Sequence, residues 1–504
     1  MNTNPYWMDT AKLPVFPGIK SDLRVDVVVI GGGITGITAT YLLKKAGLKV
    51  ALLERDRFAA AETGHTTAHL TSVTDLRLQD LVEHFGRDQA LAVWKAGETA
   101  IRLIHELVEH EKIDCDFQWV PGFLHAPVQD AKGDEAKTLR QEAEIAAELG
   151  IDAAFLDEVP LVKRPGVRFS NQAKFHPRKY LAALLQKIPG RGCHVFEKSE
   201  VEEMKASPPR VKVDGKTIHA KNVIVATHVP LQGIAGTVGA ALFQTKLAPY
   251  TSYVVGAKIP KGAAPEASFW DTNDPYDYLR VDRARGNDYA ILGGQDHKTG
   301  QVKDTEKHYR RVEKAILKLF PQAKIDHRWS GQVIETSDGL PFIGETAPHQ
   351  FVATGFSGNG MTFGTLGAMM ACDYVKGRKN PWTEIFSVNR KPIHGGVWDY
   401  LKENKDYPFY FLKGWLSRSA ANSTRGLKRG EGAIVVLDGK KVAAYRDDKG
   451  KLTKKSAVCT HLGCIVGWNP AEKTWDCPCH GSRFLPTGAV IGGPAETPLA
   501  DVSV

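Results

Sequence analysis

Four cysteine and histidine residues near the C-terminus have the types and the spacing of a metal site. Cys459 and His461 are separated by one residue, and Cys477 and His480, roughly fifteen residues later, are separated by two. Thiolate sulfur and imidazole nitrogen both bind zinc and iron. Four of the seven cysteines fall between positions 459 and 479, and such clustering indicates a metal centre before it indicates structural disulfides.

The spacing of these ligands favours iron over zinc. A Cys-x-His pair followed by a Cys-x-x-His pair is the pattern of a Rieske [2Fe–2S] cluster, where two histidines replace two cysteines on one iron. The segment CTHLGC…CPCHGSRFLPTGAVIGGPA closely resembles the Rieske domains of respiratory type, over residues 432–504. The resemblance implies that Cys459 and Cys477 bind one iron and that His461 and His480 bind the other. It also implies a disulfide between Cys464 and Cys479 beside the cluster.

A glycine-rich turn near the N-terminus has the pattern of a dinucleotide-binding unit. A β-branched run at 25–30 is followed by Gly31-x-Gly33-x-x-Gly36, a helical pattern at 37–45 and a second strand at 48–53 that ends on Glu54. Gly31 permits the tight turn, Gly33 lets the backbone approach a pyrophosphate, and Gly36 lets the helix pack on the strand. The helix N-terminus suits the pyrophosphate, and Glu54 is placed to bind a ribose.

Further along the chain, the pattern of parallel strands gives way to one of antiparallel strands and then returns. Apolar runs at 222–227 and 351–355 are typical of buried parallel strands, whereas 250–292 alternates with period two, as antiparallel strands do. A helical pattern at 306–319 closes this alternating stretch. A second glycine-rich turn at 356–360 leads into an apolar helix at 365–375. The chain therefore contains one α/β domain that is split along the sequence, with another domain inserted into it.

Several short motifs resemble the FAD-dependent amine and amino-acid oxidases, a family that includes sarcosine, glycine and D-amino-acid oxidases. These motifs are VVVIGGGITG, GHTTAHLT, FHPRKYL, DYLR, LGGQDHKTG, DGLPFIGE and ATGFSGNGM, and the resemblance covers roughly residues 22–380. It implies an α/β Rossmann-like FAD domain, built from about 22–75, 190–230 and 325–380. It also implies an antiparallel-sheet substrate-domain insertion at about 235–325. We expect a connector at 381–430 and a small all-β Rieske domain at 431–504.

The candidate FAD-binding residues follow from the two glycine turns and from the loop after the second strand. Thr66 and Thr67 can hydrogen-bond the pyrophosphate or the flavin, and we expect the helix after 358–360 to direct its N–H groups at the flavin. Some relatives tether flavin through a histidine in this loop, but Thr66 stands at that position here, so we expect non-covalent FAD. The full set is Gly31, Gly33, Ile34, Thr35, Gly36, Glu54, Arg55, Thr66, Thr67, Val201, Gly358, Asn359, Gly360 and Met361.

The candidate catalytic residues lie on the alternating stretch at 250–292 and in the loop at 63–71, called here the polar loop. Arg280 is predicted to face the substrate and to bind a carboxylate, with a solvent-facing arginine as the alternative. Tyr278 shares its face and is predicted to shape the pocket. His65 and His69 are predicted to contact flavin or substrate, with an ordinary loop role as the alternative. Weaker candidates are Lys246, Tyr250 and His176.

Composition limits the classes of partner. The 504-residue chain carries a net charge of +9, with much of the excess after residue 388. This indicates either a solvated basic face or a docking surface for an acidic redox protein. No nucleic-acid-binding motif accompanies the charge. We find no Sec signal pattern and no apolar run of about 18 residues, so we expect a cytoplasmic protein without a transmembrane segment. An aromatic patch at 407–411 is predicted to pack the two domains together, with a membrane-surface helix as the alternative.

Two cofactors in one chain favour a dehydrogenase. The leading hypothesis is a FAD enzyme that oxidises a small amine or amino acid by hydride transfer to FAD, a reaction in which the protein mainly orients the substrate. Electrons then pass singly to the fused cluster and on to an external carrier. One alternative is an electron-transfer protein without an organic substrate, and another is a reductase with reversed electron flow. A Rieske oxygenase is disfavoured because the sequence has no convincing 2-His-1-carboxylate iron site.

Overall fold

The computed structural model describes residues 1–128, 134–229, 246–284, 286–390, 406–417 and 423–503. In these residues the helices are α1 Tyr6–Thr10, α2 Ile34–Lys45, α3 Glu62–His65, α4 Leu78–Phe85, α5 Arg87–Glu111, α6 Glu135–Glu148, α7 Pro177–Lys187, α8 Glu306–Leu319, α9 Gly360–Val375 and α10 Asp406–Leu416. A 3₁₀ turn, Ser357–Asn359, precedes α9. The strands up to residue 260 are β1 Leu23–Arg24, β2 Val27–Ile30, β3 Val50–Leu53, β4 His69–Leu70, β5 Gln118–His125, β6 Ala153–Leu156, β7 Gly166–Lys174, β8 His194–Phe196, β9 Val201–Ala206, β10 Pro209–Val213, β11 Lys216–His219, β12 Asn222–Val225 and β13 Leu247–Ile259. The later strands are β14 Ser268–Asp271, β15 Tyr278–Asp282, β16 Asp288–Lys298, β17 Lys324–Thr336, β18 Phe342–Ala347, β19 Gln350–Thr354, β20 Gly432–Leu437, β21 Lys440–Arg446, β22 Leu452–Ser456, β23 Gly467–Asn469, β24 Thr474–Asp476, β25 Arg483–Phe484 and β26 Val490–Gly492.

A six-stranded sheet carries the first glycine turn. Its order is β18-β19-β12-β2-β3-β8, and all pairs are parallel except β18 with β19. All four residues of β2 and all four of β3 are buried, as the apolar runs predicted for a parallel sheet. Because β2 lies near the middle, the turn after it opens at the carboxyl edge of the sheet, where ligands bind in such folds.

A larger, mostly antiparallel sheet forms the second part of the region that precedes residue 391, called here the flavin region after the FAD site predicted in it. Its order is β17-β13-β16-β15-β14-β5-β7-β4, with β6 paired to β7. Four of these strands, β4 to β7, precede residue 175, so the sheet is not confined to the predicted stretch 235–325. Strand β7, for example, is buried at most positions on both faces. Its sequence therefore lacks the clean alternation that identified the strands after residue 247.

Residues 381–390 belong to the flavin region, although the sequence predicted its end at 380. The Phe386 side chain is completely buried and lies 5.8 Å from Phe363, measured between ring centroids. The Phe386 carbonyl accepts from the Ile343 N–H at 2.7 Å. Arg390 Nε lies 2.6 Å from an oxygen of Asp338. Polar residues are mixed with the apolar ones in this stretch, so the sequence gives little sign that a few of its side chains, such as Phe386, are buried.

The C-terminal region is all-β, as predicted. Strands β20-β21-β22 form one antiparallel sheet and β23-β24-β25-β26 form another. Trp475 and Phe484 are completely buried in its core. This compact core holds the two loops with the predicted metal ligands.

Helix α10 is formed by the predicted aromatic patch. Tyr407 and Tyr410 pack against the core of the C-terminal domain, whereas Phe409 is exposed. Asp406 forms an ion pair with Lys298 at 3.3 Å, so the helix also contacts the larger sheet, in agreement with a packing role. Among the described residues, no helix combines the length and the apolar character needed to cross a bilayer.

Candidate flavin cavity and cluster site

A cavity of about 760 Å³ lies between the two large sheets. Such a volume is within the range of cofactor and ligand sites. Most of the predicted cofactor and catalytic residues line it, and Gly36 and Arg280 do not. The predicted residues in its wall are Gly31, Gly33, Ile34, Thr35, Glu54, Arg55, His65, Thr66, Thr67, His69, Val201, Tyr278, Gly358, Asn359, Gly360 and Met361.

The first glycine turn has no room for side chains at two positions. Gly31 has a φ of +106°, and a Cβ there would press on the carbonyl of Ala226. A Cβ on Gly36 would overlap the Gly31 carbonyl. The turn therefore brings the strand, the next strand and the helix as close as the dinucleotide pattern requires. These contacts fit the residues to a bound dinucleotide.

Glu54 stands at the end of β3, as predicted for a ribose ligand. One carboxylate oxygen accepts from the Gly32 N–H at 2.8 Å and the other from the Asp56 N–H at 2.8 Å. Burial raises the pKa of this carboxyl. At the start of α2, the Ile34 N–H donates to the Thr63 hydroxyl at 3.1 Å. The Glu54 carboxylate still has free lone pairs, which can accept hydrogen bonds from the hydroxyl groups of a ribose bound in the cavity.

The polar loop after α3 presents a neutral histidine to the cavity. His69 Nε2 lies 3.3 Å from the Leu279 carbonyl, which can only accept, so Nε2 carries the proton. Nδ1 then accepts from the Thr67 hydroxyl at 3.0 Å. Burial, with a smaller contribution from Arg280, lowers the pKa of His69 to about 4. His65 also lines the cavity, and its Nδ1 bonds to the Ala61 carbonyl at 2.9 Å.

Arg280 does not face the cavity, contrary to the prediction of a substrate-binding cation. Its side chain is buried and donates to the Ala68 carbonyl at 2.7 Å. It also pairs with Asp282 at 3.0 Å and lies over the ring of Trp7. Tyr278 and Arg280 share a face of β15 as expected, but the polar loop covers the arginine. Its role is to hold the loop carbonyls.

The weaker candidates also lie outside the cavity wall. His176 caps α7 by accepting from the Lys179 N–H at 3.3 Å. Lys246 lies 5.5 Å from the ring centroid of Phe342. Tyr250 lies on β13 without lining the cavity.

The second glycine turn contacts the segment that directly follows the polar loop, and each contact involves one side chain. The Gly358 N–H donates to Asp75 at 2.6 Å, so this amide is directed at a carboxylate and not, as predicted, at the flavin. Asn359 donates its amide N–H to the Val73 carbonyl at 2.7 Å. Gly360 has open space at its Cβ position. The turn is therefore fixed by Asp75 and Asn359, while Gly360 leaves the cavity open beside α9.

Sequence analysis missed several carboxylates in the wall formed by the larger sheet and its neighbours, including Asp75, Asp271 and Asp296. Burial raises the pKa of Asp271 to about 7, with help from the nearby charge of Asp277. Burial likewise raises the pKa of Asp296 to about 7. Asp296 Oδ1 is shielded from solvent and has no hydrogen-bond partner among the described residues. Asp296 lies in the LGGQDHKTG motif, which was recognised as a family feature but not as a source of ligands.

The four predicted metal ligands come together at one end of the C-terminal domain. The rings of His461 and His480 lie 4.9 Å apart, and the predicted disulfide between Cys464 and Cys479 is present. Hydrogen bonding from Cys477, and less strongly from backbone N–H groups, lowers the pKa of the Cys459 thiol to about 7. Buried Nδ1 of His480 has no partner among the described residues. The hydrogen bond with Cys459 raises the pKa of the Cys477 thiol well above its ordinary value. Two adjacent thiols and a buried imidazole nitrogen that bonds to none of the described residues fit a metal cluster.

Comparison with known families agrees with both sites. Residues 26–374 match the family described as FAD dependent oxidoreductase, and residues 418–503 match the Rieske [2Fe-2S] domain. The chain belongs to the FAD dependent oxidoreductase family. It binds FAD in the larger region and a [2Fe–2S] cluster in its Rieske domain.

Individual relatives cover the whole chain or its flavin region. YhfW of Bacillus subtilis (strain 168), named as a Rieske 2Fe-2S iron-sulfur protein, is 33% identical over 99% of this chain and 97% of its own. Gamma-glutamylputrescine oxidoreductase of Escherichia coli (strain K12) is 25% identical over 78% of this chain and 94% of its own. The crystal structure of glycine oxidase from Geobacillus kaustophilus superposes with a TM-score of 0.61 at 19% identity, covering 73% of this chain and 99% of that one.

The Rieske domain is seated on the larger sheet by its cluster loops. Gln332 on β17 donates its side-chain N–H to the Gly481 carbonyl at 3.0 Å. Gln301 donates to the Pro478 carbonyl at 3.1 Å. A Cβ on Gly300, whose φ is +78°, would lie 2.7 Å from the carbonyl carbon of the ligand Cys477. Gly300 thus allows the end of β16 to approach the cluster loop closely.

Strand β17 borders both redox sites. Residues 331–335 line the FAD cavity, and the Gln332 N–H donates to Glu62, which also lines it, at 2.6 Å. The side chain of the same glutamine reaches the cluster loop at Gly481. One residue of this strand therefore connects the wall of the FAD cavity to the loop that carries Cys477 and His480.

Proposed function

We propose that this protein is a dehydrogenase that oxidises a small amine or amino acid and sends the electrons through its own cluster to an external carrier. The observation that carries the proposal is Gln332, whose backbone belongs to the wall of the FAD cavity and whose side chain holds the cluster loop. When bound, FAD accepts a hydride from the carbon next to nitrogen, and the cluster accepts electrons one at a time. A direct contact between the two sites suits this sequence, because electrons must pass from the FAD site to the cluster.

The charges of the cavity wall support an amine substrate. Asp75, Asp271 and Asp296 are among the carboxylates of the wall, and Arg280, the expected carboxylate ligand, is covered by the polar loop. Arg77 also lines the cavity, but it donates to the Thr272 carbonyl at 3.0 Å, and carboxylates outnumber cations around Asp271 and Asp296. A positively charged amine bound near a buried carboxyl group favours the ionised form of that carboxyl group. The relative from Escherichia coli carries the name of an oxidoreductase for gamma-glutamylputrescine, which contains amine nitrogen. We therefore favour a cationic amine over a simple acidic amino acid.

Side chains around the carboxylates give the pocket its shape. Tyr278 hydrogen-bonds the Ser252 hydroxyl at 2.6 Å, and Tyr276 donates to Asp75 at 2.8 Å. The ring of His69 lies 6.0 Å from that of Trp270, measured between centroids. In this arrangement Asp296 binds and orients the ammonium group, and the aromatic rings exclude water from the reacting carbon. His69 stays neutral and offers no competing positive charge.

The external carrier is proposed to be an acidic redox protein. The net charge of the chain is +9, and much of the excess lies in the connector between residues 388 and 431, just before the Rieske domain. Opposite surface charges raise the rate of association between redox partners. We therefore expect electron transfer to the carrier to slow as ionic strength rises.

The decisive experiment is an anaerobic screen of amines and amino acids with the purified holoprotein. The expected result is bleaching of the flavin absorbance, followed by the EPR signal of the reduced cluster. Absence of bleaching across a broad panel would instead favour an electron-transfer protein without an organic substrate. If a reduced carrier reduces the flavin and no amine does, the reversed direction of flow is correct.

A further inference from the structure

Eight consecutive residues of the Rieske domain line the FAD cavity. These residues, 491–498, are called here the proline loop. In the same cavity, Glu54, Arg55 and Glu200 form the end where the dinucleotide pattern places the ribose. The wall at this end is therefore formed jointly by the flavin region and the Rieske domain.

Specific contacts seat the proline loop at this end. Arg55 donates to the Ile491 carbonyl at 3.0 Å and lies 3.9 Å from a carboxylate oxygen of Glu200. Burial raises the pKa of Glu200, with a further small contribution from the charge of Glu496. On the other side, a Cβ on Gly493 would lie 3.7 Å from Val229 Cβ, at ordinary contact distance. The loop thus touches both flanks of the cavity.

The same loop also covers the cluster site. The Ala495 N–H donates to the Ser482 hydroxyl at 3.0 Å, and the Thr460 hydroxyl donates to the Thr497 carbonyl at 2.6 Å. Thr460 lies between two cluster ligands, and Ser482 follows His480 by two residues. The proline loop is therefore held by the cluster loops on one side and by Arg55 on the other.

We propose that the proline loop is part of the FAD site and closes it over the nucleotide end. Because the loop belongs to the Rieske domain, FAD binding and the seating of that domain stabilise each other. Thermodynamic linkage makes this coupling reciprocal. Bound FAD raises the equilibrium constant for docking of the loop by some factor, and docking of the loop raises the affinity for FAD by the same factor. The inference depends on the FAD site and not on the identity of the substrate.

The first test compares amide hydrogen exchange in the full-length protein with FAD and after FAD has been removed at neutral pH, with the cluster retained in both. Exchange in residues 491–498 should be several-fold slower when FAD is bound. The turn at 447–451, which does not line the cavity, is the internal control. Equal exchange in the proline loop with and without FAD would overturn the proposal.

The second test uses a matched pair of substitutions at Gly493. Gly493→Ala adds only a Cβ that fits against Val229, whereas Gly493→Leu adds carbons beyond it. FAD titration followed by flavin fluorescence should give a dissociation constant close to that of the wild type for alanine and about tenfold higher for leucine. Iron content and the EPR signal must be unchanged in both variants.

An unchanged dissociation constant in Gly493→Leu, with its cluster intact, would contradict the proposal. If that variant loses its iron, the proposal is tested only by the comparison of amide hydrogen exchange in the wild-type protein with and without FAD. Neither measurement requires turnover, so a failed search for the substrate would leave both interpretable.

Discussion

The two redox sites of this protein are assembled in opposite ways. The cluster ligands come from two short loops between Cys459 and His480, and the disulfide of Cys464 and Cys479 joins those loops. The wall of the FAD cavity takes residues from position 30 to position 498 and from both domains. The first site depends on local geometry, and the second depends on how distant segments pack.

This difference predicts how each site fails. A substitution in a cluster ligand removes the cluster outright, because a cysteine–histidine set cannot lose a member and keep its iron. A substitution in the FAD cavity removes one of many contacts and produces a graded loss. The following predictions test the contrast, beginning with the largest expected effect.

Loss of one cluster ligand should abolish the cluster and spare FAD. Cys459→Ser is expected to reduce iron and labile sulfide to less than about a tenth of the wild-type content. The disulfide and buried Trp475 should keep the Rieske domain folded and the proline loop in place. Iron analysis and the flavin absorbance spectrum measure both outcomes, and Cys372→Ser, which lies outside the site, is the control. Equal loss of FAD and iron would show that the two sites are not built separately.

Two truncations should show how much residues 381–390 contribute to the stability of the flavin region. Ending the chain after residue 380 removes buried Phe386 and the ion pair of Arg390, whereas ending it after residue 390 keeps both. Loss of a buried phenylalanine alone costs about 3–5 kcal/mol. Urea unfolding of both fragments in excess FAD should show a difference of at least this size. Equal unfolding free energies would mean that residues 381–390 contribute nothing to the core.

The fragment that ends at residue 390 also tests the electron path. It should still reduce its FAD with substrate but lose turnover with one-electron acceptors, because the cluster is absent. It should also bind FAD more weakly than the full chain, since the proline loop is missing. Undiminished turnover with one-electron acceptors would remove the cluster from the path.

Substitution of a cavity carboxylate should give a graded effect on amine binding. Asp296→Asn is expected to weaken the binding of 1,4-diaminobutane roughly tenfold, the order of magnitude for one hydrogen bond to a charged group. The pKa of Asp296 is raised to about 7, so the wild-type carboxyl is ionised above that pH and attracts the ammonium. Binding should therefore strengthen as pH rises from about 6 to about 8, and less so in the variant. Perturbation of the flavin spectrum measures binding, with Asp304→Asn, outside the cavity, as control. An unchanged pH profile in Asp296→Asn would exclude this role.

The smallest effects should come from residues that tune the cluster without binding it. Hydrogen bonds to cluster and ligand sulfurs raise the reduction potential. The resemblance to respiratory Rieske domains implies a tyrosine donor at the position that Phe484 occupies in this chain. Phe484 is completely buried and has no donor, while Ser482 keeps its hydroxyl beside the loop. We expect a potential below the respiratory group, within about −150 to +300 mV. Phe484→Tyr should raise the midpoint and Ser482→Ala should lower it in EPR redox titrations. A lower or unchanged midpoint in Phe484→Tyr would contradict this explanation.

The local features of this protein were predictable from residue types and spacing. The ligand set of the cluster and the turn at Gly31 each depend on residues that lie close together in the chain. Such motifs carry their own geometry, because few backbone conformations are compatible with their spacing. The parallel strands around the glycine turn were recognised for the same reason, since each is a continuous buried apolar run. The disulfide between Cys464 and Cys479 was implied by the resemblance to Rieske domains, and the structure contains it.

The position of side chains in the cavity depended on packing between distant segments. Arg280 has the spacing of a substrate ligand, but the loop at 66–68 lies over it and takes its hydrogen bonds. Asp296 became a wall residue because β16 aligns with β13 and β15 in the larger sheet. The proline loop reaches the FAD cavity only because the Rieske domain is seated on Gln332 and Arg55. The contacts of Arg280, Gln332 and Arg55 join residues more than a hundred positions apart. The whole core sets these contacts and the register of the larger sheet, which periodicity within a short window does not record.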